Sequence, residues 1–364
     1  MKIKEVTDYI ESIAPLAYQE SYDNAGYICG TPSAELTAVL ICLDSTEDVI
    51  DEAIKLGCNL VLAHHPIIFS GLKKITGKNY VERTIIKAIK NDITIYVAHT
   101  NLDNVLNGVN SKIAAKLGLI NCKVLAPQAH TLKKLITFCP ENQAEQVRKA
   151  LFDTGAGSIG NYDECSFNST GTGTFRAGEN TNSFVGKKGS QHQETEIKIE
   201  TVFPAYLESK LLSVLFKAHP YEEVAYDIIA LDTINHTIGA GMIGELPVEM
   251  EEMEFLKMIH SKMEAKGIRY TQLLGKKVKK VAICGGSGSF LLKNAFNANA
   301  DVFITADFKY HQFFDAENRI VIADIGHYET EQYTSELFYE LLSKKFSTFA
   351  INLSKINTNP IKYL

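Results

Sequence analysis

The stretch CNLVLAHHPIIFSG (residues 58–71) decides the fold of this chain and points to its chemistry. Residues 58–63 are apolar and are soon followed by a proline, which predicts a short buried strand. A buried strand excludes imidazoles unless each ring nitrogen has a partner, so we expect His64 and His65 where the strand ends. Open α/β sheets bind their ligands at that end of their strands. A divalent metal ion explains two adjacent imidazoles better than a proton relay does.

Two other apolar strands end in residues of the same kind. The predicted strand at 93–98 is followed by His99 and Asp103, and a strand near the C-terminus is followed by His327 and Glu331. The spacing of the last two residues, i and i+4, places both on one face of a helix. Histidines and carboxylates therefore gather at one kind of location, although they are far apart in the sequence.

These strand ends supply five candidate metal ligands: His64, His65, Asp103, His327 and Glu331. Three imidazoles and two carboxylates are few donors for two metal ions. We therefore expect one carboxylate to bridge the ions and water to fill the open positions. A mixed set of nitrogen and oxygen donors suits Zn, Fe, Mn or Ni.

Each of these residues also has a structural interpretation. The backbone could satisfy both histidines of the pair, and Asp103 could be the N-cap of a helix that starts there. His99 could be a ligand, the hydrogen-bond partner of a ligand or a proton carrier. Asp307 and His311 follow another predicted strand, where they could contact substrate or support a ligand. His99 and His311 are the two candidates for moving protons.

For three further features a structural role is favoured over a functional one. The loop CGGSGSF (284–290) could hold a phosphate on its N–H groups, but it lacks the full GxGxxG, P-loop and GxSxG patterns, so a tight turn is favoured. Lys73 and Lys74 could meet an anionic substrate, although solvated surface is the favoured role. His219 is predicted to be a structural histidine at a helix end rather than a ligand-sensing residue.

Length and composition limit the possible classes of protein. A chain of 364 residues exceeds one ordinary core and favours two domains. The net charge of −6 disfavours a surface that coats nucleic acid, although a local basic groove stays open. Seven cysteines without a CxxC pair are typical of reduced thiols in a cytoplasmic protein. We expect no signal peptide, because the first residues have an amphipathic helix pattern that ends at Pro15. We expect no membrane helix, because no apolar run approaches roughly 20 residues.

Two segments share a strand–helix–strand pattern, at residues 37–65 and 278–307. A further strand follows each of them, at 93–98 and 319–324. When the two segments are aligned, the histidine pair falls on the end of the second segment, at Asp307. The pattern predicts an α/β fold with largely parallel strands, in which two related halves form one metal-binding domain. Duplication and the general likeness of β-α-β units both stay open as the origin of the match.

The middle of the chain follows a different pattern. A strand at 132–140, an amphipathic helix, two alternating strands, a second amphipathic helix and a final strand give the order β-α-β-β-α-β. This order is ferredoxin-like. We therefore expect an inserted ferredoxin-like α+β domain at 130–234, between the parts of a discontinuous α/β metal domain at 1–129 and 235–364.

These motifs together resemble a known family. Over nearly its whole length the chain is similar to the dinuclear metal centre proteins named GTP cyclohydrolase 1 type 2 homologues, in the long bacterial form with an inserted domain. The resemblance rests on the histidine pair and on the segments AHTNLDNVLNGVN, GGSGS and ADIGHYETE. The segment ESYDNAGYICG (20–30) also matches, except that Tyr22 stands where the family usually has Trp. The insert, with AHPYEEVAYDI, is similar to the family's inserts, which resemble nitrogen-regulatory and divalent-ion-tolerance signalling folds.

The resemblance implies how the candidate ligands are used. The five ligands above would hold two divalent metal ions per subunit, with Glu331 as the bridge. The implied assembly is a homohexamer, a trimer of dimers whose metal sites face an internal cavity. The implied activity is that of a metal-dependent hydrolase. It would open a purine ring, as a GTP cyclohydrolase does, with a hydroxide generated at the metals, and His99 or His311 would move the protons.

Two other functions stay open at this point. Paired metal ions suit in-line displacement at phosphorus, which fits a metal-dependent phosphodiesterase or phosphatase. The chain could also be a non-enzymatic metal-binding regulatory ring, in which the inserted domain senses a ligand. For an enzyme we expect a small anionic or nucleotide-like substrate, with no membrane partner; a nucleic-acid partner is disfavoured.

Overall fold

The computed structural model describes all 364 residues, which form strands and α-helices joined by loops and short 3-10 turns. The strands are β1 (Gly26–Cys29), β2 (Ala38–Asp44), β3 (Leu60–His65), β4 (Thr94–Val97), β5 (Ile120–Gln128), β6 (Leu132–Pro140), β7 (Phe167–Arg176), β8 (Gln191–Pro204), β9 (Tyr226–Ala230), β10 (Asn235–Glu251), β11 (Arg269–Tyr270), β12 (Lys277–Ser287), β13 (Val302–Ala306), β14 (Val321–Asp324) and β15 (Ala350–Leu353). The helices are α1 (Ile3–Ile13), α2 (Glu47–Leu56), α3 (Tyr80–Lys90), α4 (Thr100–Asp103), α5 (Val109–Leu117), α6 (Ala144–Asp153), α7 (Glu208–Ala218), α8 (Glu252–Lys262), α9 (Leu292–Asn297), α10 (His327–Glu331) and α11 (Thr334–Lys345).

The chain divides into two compact units. The first comprises Met1–Pro127 together with His236–Leu364, and the second comprises Gln128–Asn235. Each unit has a hydrophobic core of its own.

The first unit contains a five-stranded sheet with the order β1-β4-β3-β2-β15. All of its strands are parallel except β1, which pairs with β4 in the antiparallel direction. Strands β2 and β3 are buried almost throughout, as expected of parallel strands that are covered on both faces. The connecting helix α2 begins where the Thr46 hydroxyl accepts the Val49 N–H, and it ends at Gly57 in the left-handed conformation.

A six-stranded sheet completes the first unit, with the order β11-β14-β13-β12-β10-β5. Its central strands β12, β13 and β14 are parallel, whereas β11 and β10 run antiparallel to their neighbours. Strands β2, β3 and β4 of one sheet, and strands β12, β13 and β14 of the other, are neighbours in the order in which they occur in the sequence. Their carboxyl ends therefore lie along one edge of each sheet.

One hydrophobic core lies between these two sheets. Val39 and Leu62 of the five-stranded sheet are buried in it with Ile283 and Ile304 of the six-stranded sheet, and helices α1, α5, α8 and α11 contribute to it. The opposite face of the five-stranded sheet packs against α2 and α3, and that of the six-stranded sheet against α9. Because both faces of each sheet are covered, the strand ends are the places left for a ligand.

The second unit has the element order β6-α6-β7-β8-α7-β9 and a single sheet with the strand order β7-β8-β6-β9. Every pairing in this sheet is antiparallel. Helices α6 and α7 cover one face through a core that includes Leu135 and Phe203. His219 ends α7: its Nε2 donates to the Phe138 carbonyl at 2.9 Å, and its Nδ1 accepts the Tyr221 N–H at 3.1 Å. His219 therefore has a structural role.

The predicted mixed α/β fold class is confirmed at the level of helices packed on several sheets. The structure rules out one alternative interpretation that the sequence left open. Asp103 does not cap the helix that follows it, because α5 begins only at Val109, with Gly108 as its N-cap. The chain also contains no helix whose length and apolar content would let it cross a membrane.

Candidate metal centre

The candidate ligands lie at the ends of secondary-structure elements of the first unit. His64 and His65 are the last two residues of β3, and Asp103 is the last residue of α4. His327 and Glu331 are the first and last residues of α10. This helix begins directly after Gly326, whose φ of 99° is a conformation that a side chain would disfavour.

Glu331 is the centre of the first group of side chains. Its Oε2 lies 2.8 Å from His65 Nε2 and 3.2 Å from His327 Nε2. The carboxylate is almost completely buried. These three residues form a compact set of two imidazole nitrogens and one oxygen that could hold a metal ion.

The other oxygen of Glu331 belongs to a second group. His64 Nε2 lies 3.8 Å from Glu331 Oε1 and 3.6 Å from Asp103 Oδ1. These atoms lie too far apart for hydrogen bonds, but His64, Asp103 and Glu331 also form a set that could hold a metal ion. Glu331 is therefore shared by two potential metal sites, one on each carboxylate oxygen.

Two atoms of the second group are buried without any hydrogen-bond partner. They are Nε2 of His64 and Oδ1 of Asp103. Because His64 Nδ1 donates to the Ala98 carbonyl at 2.9 Å, Nε2 of a neutral ring carries a lone pair. An unpaired buried polar group costs about 1–3 kcal/mol, and a cation between these two atoms would remove that cost. The residues present therefore fit a divalent metal ion.

Each of the other three histidines of this region has an aspartate beside its Nδ1 atom. The Nδ1 atoms of three histidines lie within hydrogen-bond distance of an aspartate: His65 with Asp44 at 2.8 Å, His99 with Asp23 at 2.7 Å and His327 with Asp307 at 2.6 Å. An ionised carboxylate only accepts, so Nδ1 carries the proton and Nε2 is directed elsewhere. Metal-binding histidines commonly use their second nitrogen in this way.

The charged groups of the centre lie close enough to shift one another's pKa values. Burial alone would raise the pKa of Glu331, but the charged His327 and His65 outweigh burial and hold this pKa well below its usual range. Burial opposes the charge of His65 and of His327, yet Glu331 and the neighbouring aspartates raise their pKa values to about 10 and about 11. Without metal, both rings are therefore protonated at neutral pH, and a metal ion would have to displace these protons.

Asp103 differs from the other carboxylates. Burial and the nearby Glu331 raise its pKa to about 7. The opposite applies to Asp23, because its hydrogen bonds with His99 and Thr100 outweigh burial and lower its pKa to about 2. Asp23 is thus a permanent carboxylate, whereas Asp103 is poised to ionise when a cation binds beside it.

Gly286, near the end of β12, is required by the close approach of this strand to Glu331. Gly286 has a φ of 61°, and a Cβ atom there would lie 2.5 Å from Glu331 Oε1. The N–H groups of Gly285 and Gly286 already donate to Asn110 Oδ1 and Thr330 Oγ1, both at 3.0 Å. These contacts support the tight-turn interpretation of CGGSGSF over a phosphate cradle.

The centre opens into a cavity of about 470 Å³ within the first unit. His65, His99, Asp103, His327 and Glu331 line it. The segment after β15 forms part of its wall, through Asn359, Pro360 and Ile361.

A family model for Duf34/NIF3 (NGG1p interacting factor 3) matches residues 1–360. The chain belongs to this family. It is 41% identical over 364 residues to the GTP cyclohydrolase 1 type 2 homolog of Halalkalibacterium halodurans, which covers 99% of this chain and 98% of that protein. Its identity to the homolog of Bacillus subtilis is 38% over 367 residues, with the same coverage. The predicted family resemblance is confirmed.

A solved structure of the Duf34/NIF3 type shows the same fold. A Bacillus cereus protein related to NIF3 superposes with a TM-score of 0.87 at 40% identity, over 100% of this chain and 99% of that chain.

In this Duf34/NIF3 chain not all of the candidate site residues lie together. All five candidate ligands come together, and His99 joins them as a member of a set with His64 and His65. His311 does not: it is exposed, its ring contacts Tyr310 and Phe314, and it does not line the cavity. Lys73 and Lys74 are exposed and also lie outside the cavity lining.

Three residues that support the candidate centre were not predicted from the sequence. Asp44 ends β2 and was detectable, because it is a carboxylate at the end of an apolar strand. Asp23 lies in the quoted segment ESYDNAGYICG but carries no spacing signal. Thr358, whose hydroxyl donates to Asp44 Oδ2, lies in a segment without secondary structure and has no signal in the sequence.

Proposed function

We propose that this Duf34/NIF3 protein is a metal-dependent hydrolase whose first unit binds two divalent metal ions. His65, His327 and Glu331 would hold one ion, and His64, Asp103 and Glu331 the other. The observation that carries the proposal is the pair of buried atoms without partners, His64 Nε2 and Asp103 Oδ1, beside a carboxylate that two groups share. Zn, Fe, Mn and Ni all accept this donor set.

The proposed reaction is the opening of a purine ring, which the relatives' shared name as GTP cyclohydrolase homologs suggests. When bound, two divalent ions lower the pKa of water and supply a nucleophile at neutral pH. The chain itself supplies the orientation of the ligands, through Asp44 and Asp307, and a cavity that holds the substrate next to them.

His99 is the residue best placed to move a proton. Its ring centroid lies 5.3 Å from that of His64 and 5.4 Å from that of His65, and it lines the cavity. The ionised Asp23 fixes the proton on Nδ1, so Nε2 can accept a proton from the reacting groups. This geometry favours His99 over His311 for that role.

We propose further that residues 130–234 form a ferredoxin-like domain inserted into a discontinuous domain of residues 1–129 and 235–364. The strand order β7-β8-β6-β9 supports the first part, since the chain's first and third strands of this unit are neighbours at the centre of the sheet. The equivalent β2-β3-β4 and β12-β13-β14 arrangements support two related halves. A homohexameric ring, built as a trimer of dimers, and a cytoplasmic location belong to the same proposal.

A specific observation favours a second candidate function, a non-enzymatic metal-binding regulatory ring. The second unit has its own cavity, of about 610 Å³, lined by residues of β7 and β8 together with Phe184 and Tyr221. A cavity of this size can hold a small molecule. Tight binding of a ligand there without any turnover would favour this function over a hydrolase.

The hydrolase is tested by assaying metal-reconstituted protein with purine compounds, GTP included, for ring opening and for phosphate release. We expect ring opening by the wild type and its loss in His65→Ala with unchanged circular dichroism. The control is His260→Ala, an exposed histidine at the end of α8, which should leave the rate unchanged. Phosphate release without ring opening would identify a phosphodiesterase, and activity untouched by His65→Ala would refute the proposed site.

A further inference from the structure

Exposed aromatic side chains surround the metal cavity. Four of the residues that line it have 60–70% of their surface exposed: Tyr22, Phe69, Tyr80 and Phe290. Single exposed aromatic residues are normal on a protein surface, but four that line one concave site suggest ligand binding there.

Aromatic rings also lead from this rim to the candidate metal ligands. Phe69 packs against His99 in a T-shaped contact with centroids 6.2 Å apart. The His99 ring in turn contacts those of His64 and His65. A flat ligand that lies against Phe69 would therefore have one edge close to the histidines.

The lining side chains carry mainly negative charge, because their carboxylates outnumber the two imidazoles that are protonated without metal, those of His65 and His327. No lysine or arginine lines the cavity, whereas Glu20, Asp44, Asp103 and Glu331 do. Sites that bind polyphosphates use arginine, lysine or a free helix N-terminus. The N-terminus of α2 reaches the cavity at Thr46, but its first turn already carries two acidic residues. Even with two divalent cations at the centre, these four carboxylates would leave little positive charge for a triphosphate.

We propose that the metal cavity recognises an uncharged planar heterocycle, such as a purine base or nucleoside, and selects against the polyphosphate of a nucleoside triphosphate. This inference rests on the proposed function, because it names the substrate class of the same site. The aromatic rim stacks on the faces of the heterocycle, and its edge reaches the histidines. Base stacking on aromatic side chains is the interaction that every purine offers, with or without phosphate.

The test is equilibrium binding of guanosine and GTP, which share one base and differ in charge, to zinc-loaded and to metal-free protein. On zinc-loaded protein we expect guanosine to bind at least as tightly as GTP. On metal-free protein we expect GTP to bind about tenfold more weakly than guanosine, because its phosphates face a lining with more carboxylates than cationic groups. GTP binding tenfold tighter than guanosine, or no measurable guanosine binding, would overturn the proposal.

Two matched variants test the rim itself. Phe290→Ala removes a rim residue and should weaken guanosine binding by about tenfold, which is within the range for loss of one stacking contact. Phe167→Ala removes an equally exposed phenylalanine of β7 and should leave this binding unchanged. Equal effects of the two variants would contradict the assignment.

The hydrolase activity and the selection against polyphosphate can fail independently of each other. Guanosine binding that depends on Phe290, without turnover of any purine, would leave the binding site intact and refute the hydrolase. Ring opening of GTP with no preference for uncharged purines would support the hydrolase and refute the selection against phosphate.

Discussion

His64 has a fully buried ring with one nitrogen satisfied and the other left without a partner. Protein interiors rarely tolerate this, because the lost hydrogen bonds to water are not replaced. In the same small space Asp103 leaves Oδ1 unpaired, and burial together with the nearby Glu331 raises its pKa. These two residues are therefore the clearest evidence for a metal ion that the single chain provides.

A substitution of Thr358 tests whether the residues that hold the candidate metal ligands in place affect metal binding. Its hydroxyl donates to Asp44, which holds Nδ1 of His65. We expect Thr358→Val to weaken zinc binding by about tenfold, because changes in such supporting residues typically cost 10–100-fold in metal affinity. Competition with a chromophoric chelator measures the change.

The conservative variant distinguishes this effect from a general loss of structure. Thr358→Ser keeps the hydroxyl and should retain the wild-type zinc affinity, and the absorption spectrum of the cobalt-loaded protein should follow the same order. If Thr358→Ser weakens binding as much as Thr358→Val does, the hydroxyl does not position Asp44.

At the scale of elements, the end of β12 is shaped by its contact with α10. Gly286 approaches Glu331 so closely that any side chain would displace the carboxylate. We expect Gly286→Ala to reduce the bound metal by more than half, as determined by elemental mass spectrometry. Gly275→Ala is the matched control, since Gly275 has a similar φ of 68° with open space around its Cα. Comparable metal loss in both variants would assign the effect to backbone strain alone.

His219, at the end of α7, should make the stability of the second unit depend on pH. Burial lowers the pKa of His219 below 6.5 in the folded protein, whereas the unfolded chain titrates near the ordinary value. As the pH falls below about 6.5, the unfolded chain gains a proton that the folded unit does not take up, so stability is lost. Hydrogen exchange of β6 should therefore be faster at pH 5.5 than at pH 7.5, after correction for the intrinsic exchange rate.

Two variants isolate the contribution of His219. His219→Asn should exchange faster than the wild type at pH 7.5, because both ring hydrogen bonds change, but its exchange should depend less on pH. His130→Asn changes an exposed histidine of the same unit and should keep the wild-type pH dependence. An unchanged pH dependence in His219→Asn would rule out this histidine as its source.

Many of the strands, and the candidate ligands at their ends, could be predicted from the sequence. The apolar runs of β3, β4 and β14 are unambiguous, and parallel strands place their ends together, so the positions of His64, His65 and Glu331 followed from pattern alone. Asp103 was less certain, because one carboxylate after a strand fits both a helix cap and a ligand. Only the three-dimensional arrangement separates the two, since α5 begins six residues later.

Contacts between distant segments could not be predicted. The tail residue Thr358 reaches Asp44 across 314 positions of sequence, and no periodic pattern marks it. His311 shows the limit of the pattern in another way, because it follows a strand as the candidate ligands do. The 3-10 turns after β13 instead direct it to an exposed cluster with Tyr310 and Phe314.

For the whole molecule, the central claim is that one chain holds two divalent metal ions bridged by Glu331. Elemental mass spectrometry of protein purified without added metal, and again after anaerobic reconstitution, tests it most directly. The variants are His65→Ala and Glu331→Gln, with His260→Ala as the control. We predict about two ions per chain in the wild type and the control, and fewer than one in Glu331→Gln, because the bridge serves both ions. Trace metal in the reconstituted wild type, or two ions retained by Glu331→Gln, would contradict the account.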